Sequence, residues 1–422
     1  MKDRFGYDWT KIAGTQFWRR PQMGRRLFFQ HATSAIGGYF LMPGRPTERI
    51  AQAAPALKST AKYCIFVLMS GGPSQIDTFD LKEGPWTPQS FNPTSYGDIR
   101  WPQGAMPVLA EQMNRVALVR SIKAWALVHN LARTWVQIGR NPTLSSSRIA
   151  PHIGSVVSIE LTKQEPNRVL PLFVHLNTTA GPGPGYLPPD HSPFYVSPGG
   201  GGMANTTHSL GQARFDRRYE LYKELSNELR ESKELGAEVH ESYAFNDAAR
   251  RLVYNPDVNS MFTFDQNERN RYGATGFGNA CIAARNMLRA RSGVRFIQIN
   301  QGDWDHHENI YDANRGHMLL TKQFDAALGT LMQDLQNDGL LDQTLVVCLG
   351  EFGRIPGNLN AGRGRDHHVQ QAALFAGAGV NGGRVLGVTD AAGGSTREPG
   401  WGRGREIRAE DVEATIYSAM GI

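Results

Sequence analysis

Cysteine is scarce in this sequence. Cys64, Cys281 and Cys348 are the only three in 422 residues, and none has a close-spaced partner. That excludes a disulfide framework and a cysteine-built zinc knuckle. Cys64 and Cys348 lie inside apolar runs and read as core residues. Long apolar runs are missing too. No stretch approaches the roughly 18 residues that a membrane-spanning helix needs, so no transmembrane segment is expected in the mature chain. The chain must therefore cohere by burying a core, which its length and 40% hydrophobic content permit.

A charge excess over the body is the third absence. The net charge of +6 suggests a nucleic-acid or membrane partner until the charges are located. Residues 1–53 hold nine Lys/Arg against three acids, which accounts for the whole excess, and residues 54–422 carry 36 of each sign. The body thus offers no electrostatic case for binding nucleic acid. The basic N-terminus has the order of an export signal instead. Arg25-Arg26-Leu27-Phe28-Phe29 looks like a twin-arginine signal, a weakly apolar stretch runs from His31 to Met42, and Ala51-Gln52-Ala53 supplies a small-x-small cleavage pattern. We expect a signal segment over 1–53, engagement with the twin-arginine export machinery, and a periplasmic or secreted product. The plain alternative is an amphipathic N-terminal helix packed on the domain.

What is present begins with buried-strand signals. Tyr63–Met69 is continuously apolar and ends in Ser70-Gly71-Gly72-Pro73, as a central parallel strand would. Similar runs follow at Val116–Val119, Leu170–Leu176, Val294–Ile299, Leu345–Leu349 and Ala372–Phe375. Helical patterns at Ala280–Arg291 and His317–Leu335 alternate with them, the second stopped by Gly339. The pattern predicts an α/β fold with a mostly parallel central sheet and helices on both faces, as one domain over 54–422. An excursion at about 178–275 combines a Gly/Pro-rich loop (178–203) with a charged helix over Phe215–Val239.

Acids and histidines gather beside four of the strands. Gly302-Asp303-Trp304-Asp305-His306-His307 follows the 294 strand, and in an extended segment Asp305 and His307 share one side. A carboxylate and an imidazole so placed suit zinc, manganese or iron. Glu351 follows the 345 strand, Arg365-Asp366-His367-His368 precedes the 372 strand, and Asp77 and Asp80 lie beyond the first. Sites in open α/β sheets form at strand ends, so a shared divalent-metal site is expected. Each segment alone would be an ordinary hydrogen-bonded loop.

The segments GGPSQIDTFD (71–80), GDWDHHEN (302–309), GEFGR (350–354) and GRDHH (364–368) carry a resemblance, together with AGAGVNGGRVLGVTD (376–390) and Gly185-Tyr186-Leu187. From about residue 60 to its end the chain resembles the bacterial family catalogued as domain of unknown function 1501. That family is similar to the alkaline phosphatase and sulfatase superfamily, whose members bind one or two metals and hydrolyse phosphate or sulfate esters. The resemblance implies that Asp305 and His307 hold one metal with Asp366 or His367, and that Asp77 and Glu351 serve a second. The ions would be zinc, manganese, calcium or similar. It also implies a nucleophile at a helix start after the first acid, for which Ser121 is the candidate, with His129 as acid/base or substrate contact. Arg354, Arg363 and Arg365 are candidates to grip an anionic ester. No cysteine lies near Ser121, which argues against a modified-cysteine nucleophile. Phe352 stands where a His commonly follows the acid, and Asp77 sits several residues past its strand. Both departures weigh on the second metal. The expected activity is an exported metal-dependent hydrolase, and the rival is a non-catalytic exported binding protein with a degenerate site. A family member would be expected to run a little beyond Ile422.

Overall fold

The computed structural model describes residues 58–143, 150–232 and 237–422. Arg25 and Arg26 lie outside the described residues.

β1 (Tyr63–Met69) is buried along its whole length and splits its side chains between two cores. Tyr63, Ile65, Val67 and Met69 enter one, and Cys64, Phe66 and Leu68 the other. This is the two-faced burial that a continuous apolar run requires. Seven more strands complete the sheet: β2 (Val116–Lys123), β3 (Phe173–Leu176), β4 (Phe194–Val196), β5 (Phe296–Gln301), β6 (Thr344–Leu349), β7 (Gln370–Gly377) and β8 (Arg384–Leu386). Their order is β8-β2-β7-β6-β1-β5-β3-β4. All are mutually parallel except β7, which runs antiparallel to β2 and β6.

Helices cover both faces, as expected. α1 (His129–Ile138) and α2 (Ile153–Leu161) put Trp135, Val136, Ile153 and Val157 into the core with Phe66. α3 (Gln212–Ser232) and α4 (Ala237–Leu252) form the charged excursion, so the single expected helix is two. Arg230 and Asp247 pair across them at 3.0 Å. α5 (Gly276–Arg289) and α6 (Gly316–Asn337) carry Ala280, Ala284, Phe324 and Leu331 onto the opposite face, with Val67. α7 (Ala409–Met420) closes the first face through Val412 and Ile416. Among the described residues, no helix is long and apolar enough to cross a membrane.

The reversed strand decides where the site lies. β1, β5 and β6 are neighbours and deliver their carboxyl ends to one edge of the sheet. β7 starts at that same edge because it runs the other way, so the residues preceding it join those following the others. Helix α1, entered from the end of β2, adds its first turn there.

Candidate metal centre

The loops that meet at this edge are pressed together. A Cβ on Gly71 (φ +113°) would stand 2.6 Å from the backbone nitrogens of Trp304 and Asp305, and one on Gly364 2.0 Å from the carbonyl carbon of His307. Only glycine permits that approach. Arg354 then binds the loops to each other. Its Nε donates to Gly72 O at 2.7 Å, its Nη1 to Arg365 O at 2.9 Å, and its Nη2 to Gly71 O and to Asp305 Oδ1, the last at 2.6 Å.

Four side chains converge in front of this clamp. Asp305 Oδ1 lies 3.0 Å from His307 Nε2 and 3.4 Å from His367 Nε2, while its Oδ2 lies 3.1 Å from His129 Nε2. The Nε2 atoms of His307 and His367 are 3.1 Å apart. Asp305, His129 and His367 each offer a ligand atom within 4.8 Å of the others. Side-chain exposure of 42% for both Asp305 and His307 leaves the cluster open to an ion from solvent.

The other nitrogen of each imidazole is already engaged. His129 Nδ1 is 2.7 Å from Glu351 Oε1, His307 Nδ1 2.6 Å from Asp366 Oδ1, and His367 Nδ1 2.9 Å from Leu127 O. All three partners are acceptors, so each Nδ1 carries a hydrogen and each ring turns its Nε2 toward Asp305. Two imidazole nitrogens 3.1 Å apart beside a carboxylate are placed to share a proton or a cation. His129 Nε2 is also buried without an aligned hydrogen-bond partner. Metal-binding histidines in general are oriented in the same way, by acceptors on their far side.

The electrostatics keep the ligands in binding form. Burial raises the Asp305 carboxyl, but the hydrogen bond and charge of Arg354 outweigh it and hold the group at about 2. Desolvation lowers His367 from the ordinary imidazole range, which favours the neutral ring. The hydrogen bond from His307, then that from Asn360, lowers Asp366. Glu351 is fully buried and takes Gly71 N–H at 2.9 Å on the same oxygen that His129 uses, leaving Oε2 unpartnered.

Several expectations need correction. Asp77 is not at the cluster. Its Oδ2 accepts from Arg365 Nε at 2.9 Å and from Ser74 Oγ at 2.5 Å, and its Oδ1 from Tyr311 OH at 2.7 Å. Asp80 is likewise spent, on Lys82, Arg120 and Thr389. Phe352 packs its buried ring against His129 and His367, with centroids 4.8 and 4.5 Å away, and has no ligand atom. A second ion on Asp77 and Glu351 therefore has no geometry here. Glu351 and Asp366 orient histidines through their Nδ1 atoms. Arg354 and Arg365 are buried, and their donors are spent on the protein, including Arg365 on Ile355 O and Gly357 O, so neither grips a substrate. Ser121 is in the middle of β2 and not at a helix start. It is buried, and its hydroxyl donates to Pro399 O at 2.7 Å.

The structure brings in two residues that the sequence reading left out. A cleft of about 440 Å³ beside the cluster is lined by Ser70, His129, Arg133 and Asp305, among others. Arg133 lies one helical turn after His129 and so shares its face, a spacing visible in the sequence. Its Nη1 donates to Ser70 Oγ at 3.1 Å. Among the described residues Arg133 is the arginine that lines this cleft. Asp303 also lines the cleft, outside the ligand set, and His306 points elsewhere with a buried, unpartnered Nε2.

No curated protein matches this chain. Solved structures with detectable likeness include a sulfatase from Pseudoalteromonas sp., 12% identical, covering 86% of this chain and 68% of that one at a TM-score of 0.41. A phosphonate monoester hydrolase from Silicibacter pomeroyi is 12% identical, with 85% and 73% covered and a TM-score of 0.40. A protein in the alkaline phosphatase superfamily from Vibrio parahaemolyticus is 12% identical, with 86% and 67% covered and the same score. Likeness at this level carries no argument about chemistry. The family model described as "Protein of unknown function (DUF1501)" matches residues 61–422, nearly all of the described body, and the chain belongs to that family.

Proposed function

We propose that the chain is an exported metal-dependent hydrolase of phosphate or sulfate esters. The observation that carries the metal is the convergence of three imidazole Nε2 atoms on Asp305 with every Nδ1 already bonded. Asp305, His307, His367 and His129 would hold one divalent ion. A set rich in nitrogen fits zinc or manganese, whereas calcium calls for six or more oxygens. Bound there, the ion would polarise an ester oxygen and lower the pKa of an attacking hydroxyl or water.

The chain's own residues supply the rest. Arg133 faces the cleft and would pair with the anionic ester. Arg354 keeps Asp305 ionised and fixed. Ser70 Oγ lines the cleft and, with water, is the available attacking group, a role Ser121 cannot fill while bound to Pro399. The second reading is a non-catalytic metal-binding protein, favoured by the absence, among the described residues, of a hydroxyl paired with a general base in the cleft.

Metal analysis of purified protein, with phosphate and sulfate ester screens before and after chelation, tests both. Stoichiometric metal with chelator-sensitive turnover is expected. Metal without turnover on any ester favours the binding protein, and protein that takes up no zinc or manganese refutes the site. Export is tested separately: replacing Arg25 and Arg26 by lysine should leave the chain in the cytoplasm, and unchanged export would exclude the twin-arginine route.

A further inference from the structure

The cleft beside the cluster adjoins a larger cavity of about 670 Å³, and Ser70, Arg133 and Asn300 line both. That volume is within the range of roughly 300–1,000 Å³ typical of small-molecule sites. His175, from β3, lines this cavity. It is 1% exposed, and among the described residues neither ring nitrogen has a hydrogen-bond partner.

The polar groups around it are already matched. His152 Nδ1 accepts from Gly154 N–H at 2.8 Å, so its Nε2 donates to Gln298 Oε1 at 2.7 Å. Gln298 Nε2 donates to Gln137 Oε1 at 3.0 Å, and Gln137 Nε2 to Arg133 O at 3.0 Å. This chain of bonds leaves His175 out. A buried imidazole with two unmet nitrogens is costly in a native fold and calls for a partner. Gly181 leaves room for one: a Cβ there would stand 3.5 Å from both His175 Cε1 and Gln137 Oε1.

The lining also specifies the partner's chemistry. Among the described residues Arg133 is the one charged side chain in it, at the boundary with the cleft, and the remaining polar groups are hydroxyls, amides and His175. Desolvation, aided by His152, holds His175 at about 2, so the ring is neutral and presents one donor and one acceptor. Hydroxyl groups serve both. Among the described residues a carboxylate or ammonium would find no counter-charge beyond Arg133.

We propose that this cavity binds the uncharged, hydroxyl-bearing part of the substrate, a sugar or polyol skeleton, with His175 as a hydrogen-bonding contact. The hydrolase reading enters only in orienting the ester, its anionic end toward Arg133 and the cluster.

The test uses the metal-loaded full chain with ¹⁵N-labelled histidine, titrated with glucose, galactose and glycerol. The His175 ring signals, assigned by their loss in His175→Phe, should shift saturably with at least one of the three. Binding should weaken tenfold or more in His175→Phe. Gly181→Ala, at a residue outside the left-handed region, should weaken it as well and keeps the test valid if the first variant misfolds. No shift with any probe, or binding unchanged in both variants, overturns the proposal and leaves the cavity to water. Binding without hydrolysis of the matching phosphate esters would support the cavity and count against the hydrolase. Turnover of p-nitrophenyl phosphate without binding of any probe would do the reverse.

Discussion

Replacing Asp77 by asparagine separates a metal ligand from a structural ion pair. Asp77 and Arg365 have side chains 1% and 0% exposed, with Nε and Oδ2 2.9 Å apart. The other contacts of Asp77 also come from donors, Ser74 Oγ and Tyr311 OH. Whichever way an asparagine amide turns, its NH₂ meets one of these donors, and the Arg365 charge stays buried without its counter-ion. Breaking one partner of a buried pair costs about 3–5 kcal/mol. For a chain of this size that lowers Tm by on the order of 4–6 °C. Arg365 should hold its place through Ile355 O, Gly357 O and Tyr311 OH, so the neighbouring His367 keeps its position. Thermal unfolding together with metal stoichiometry provides the assay. A lower Tm with full metal content is expected. Loss of metal at an unchanged Tm would refute the reasoning and restore Asp77 as a ligand.

Asp366→Asn removes the carboxylate behind His307 and should weaken metal affinity by about 10–100-fold, whereas Asp305→Asn should abolish stoichiometric binding; equal effects in competition with a chelator would contradict the separate roles. Ser121→Ala should keep full turnover and lose only about 0.5–1.5 kcal/mol from the bond to Pro399, and an inactive but folded variant would return Ser121 to the chemistry. Burial lowers His152, His175 and His317 to about 3, about 2 and about 4, below the ~6.5 of a free imidazole. The unfolded chain then binds protons that the folded chain refuses. Their contribution to stability is full above pH ~6.5 and falls as the pH drops toward 4, at up to ~4 kcal/mol per pH unit for the three. Denaturant unfolding between pH 7 and pH 5 measures the slope, and a flat profile would count against neutral burial.

The sheet was legible because burial on both faces leaves a plain trace. Tyr63–Met69 and Leu345–Leu349 can alternate between two cores only if every position is apolar. The apolar run Val116–Val119 stops before its strand does, which hides Ser121 from a reading by hydrophobicity alone. β2 continues to Lys123 through Arg120 and Ser121, polar residues that meet Phe79 O, Asp80 and Pro399 O. Asp305, His307 and His367 meet because each lies beside a strand end at the same edge of the sheet. For Arg354 and Arg365 the sequence is silent, because a guanidinium in a glycine-rich loop looks the same whether it faces a ligand or ties backbone carbonyls together.

The sequence by itself determined the α/β character, the strand-end location of the acids and histidines, the family and the charge-balanced body. These follow from local periodicity and from residues near one another in the chain. Tertiary structure alone decided which of those groups meet. The reversal of β7 brings residues 365–368 to the edge where β1, β5 and β6 end, and the antiparallel pairing that causes it depends on strands far apart in sequence. The same packing commits Asp77 to Arg365 and Ser121 to Pro399, and turns the three imidazoles toward Asp305. Direction and partner are properties of that packing, because one residue type can serve as ligand, clamp or core depending on what lies within 3 Å of it.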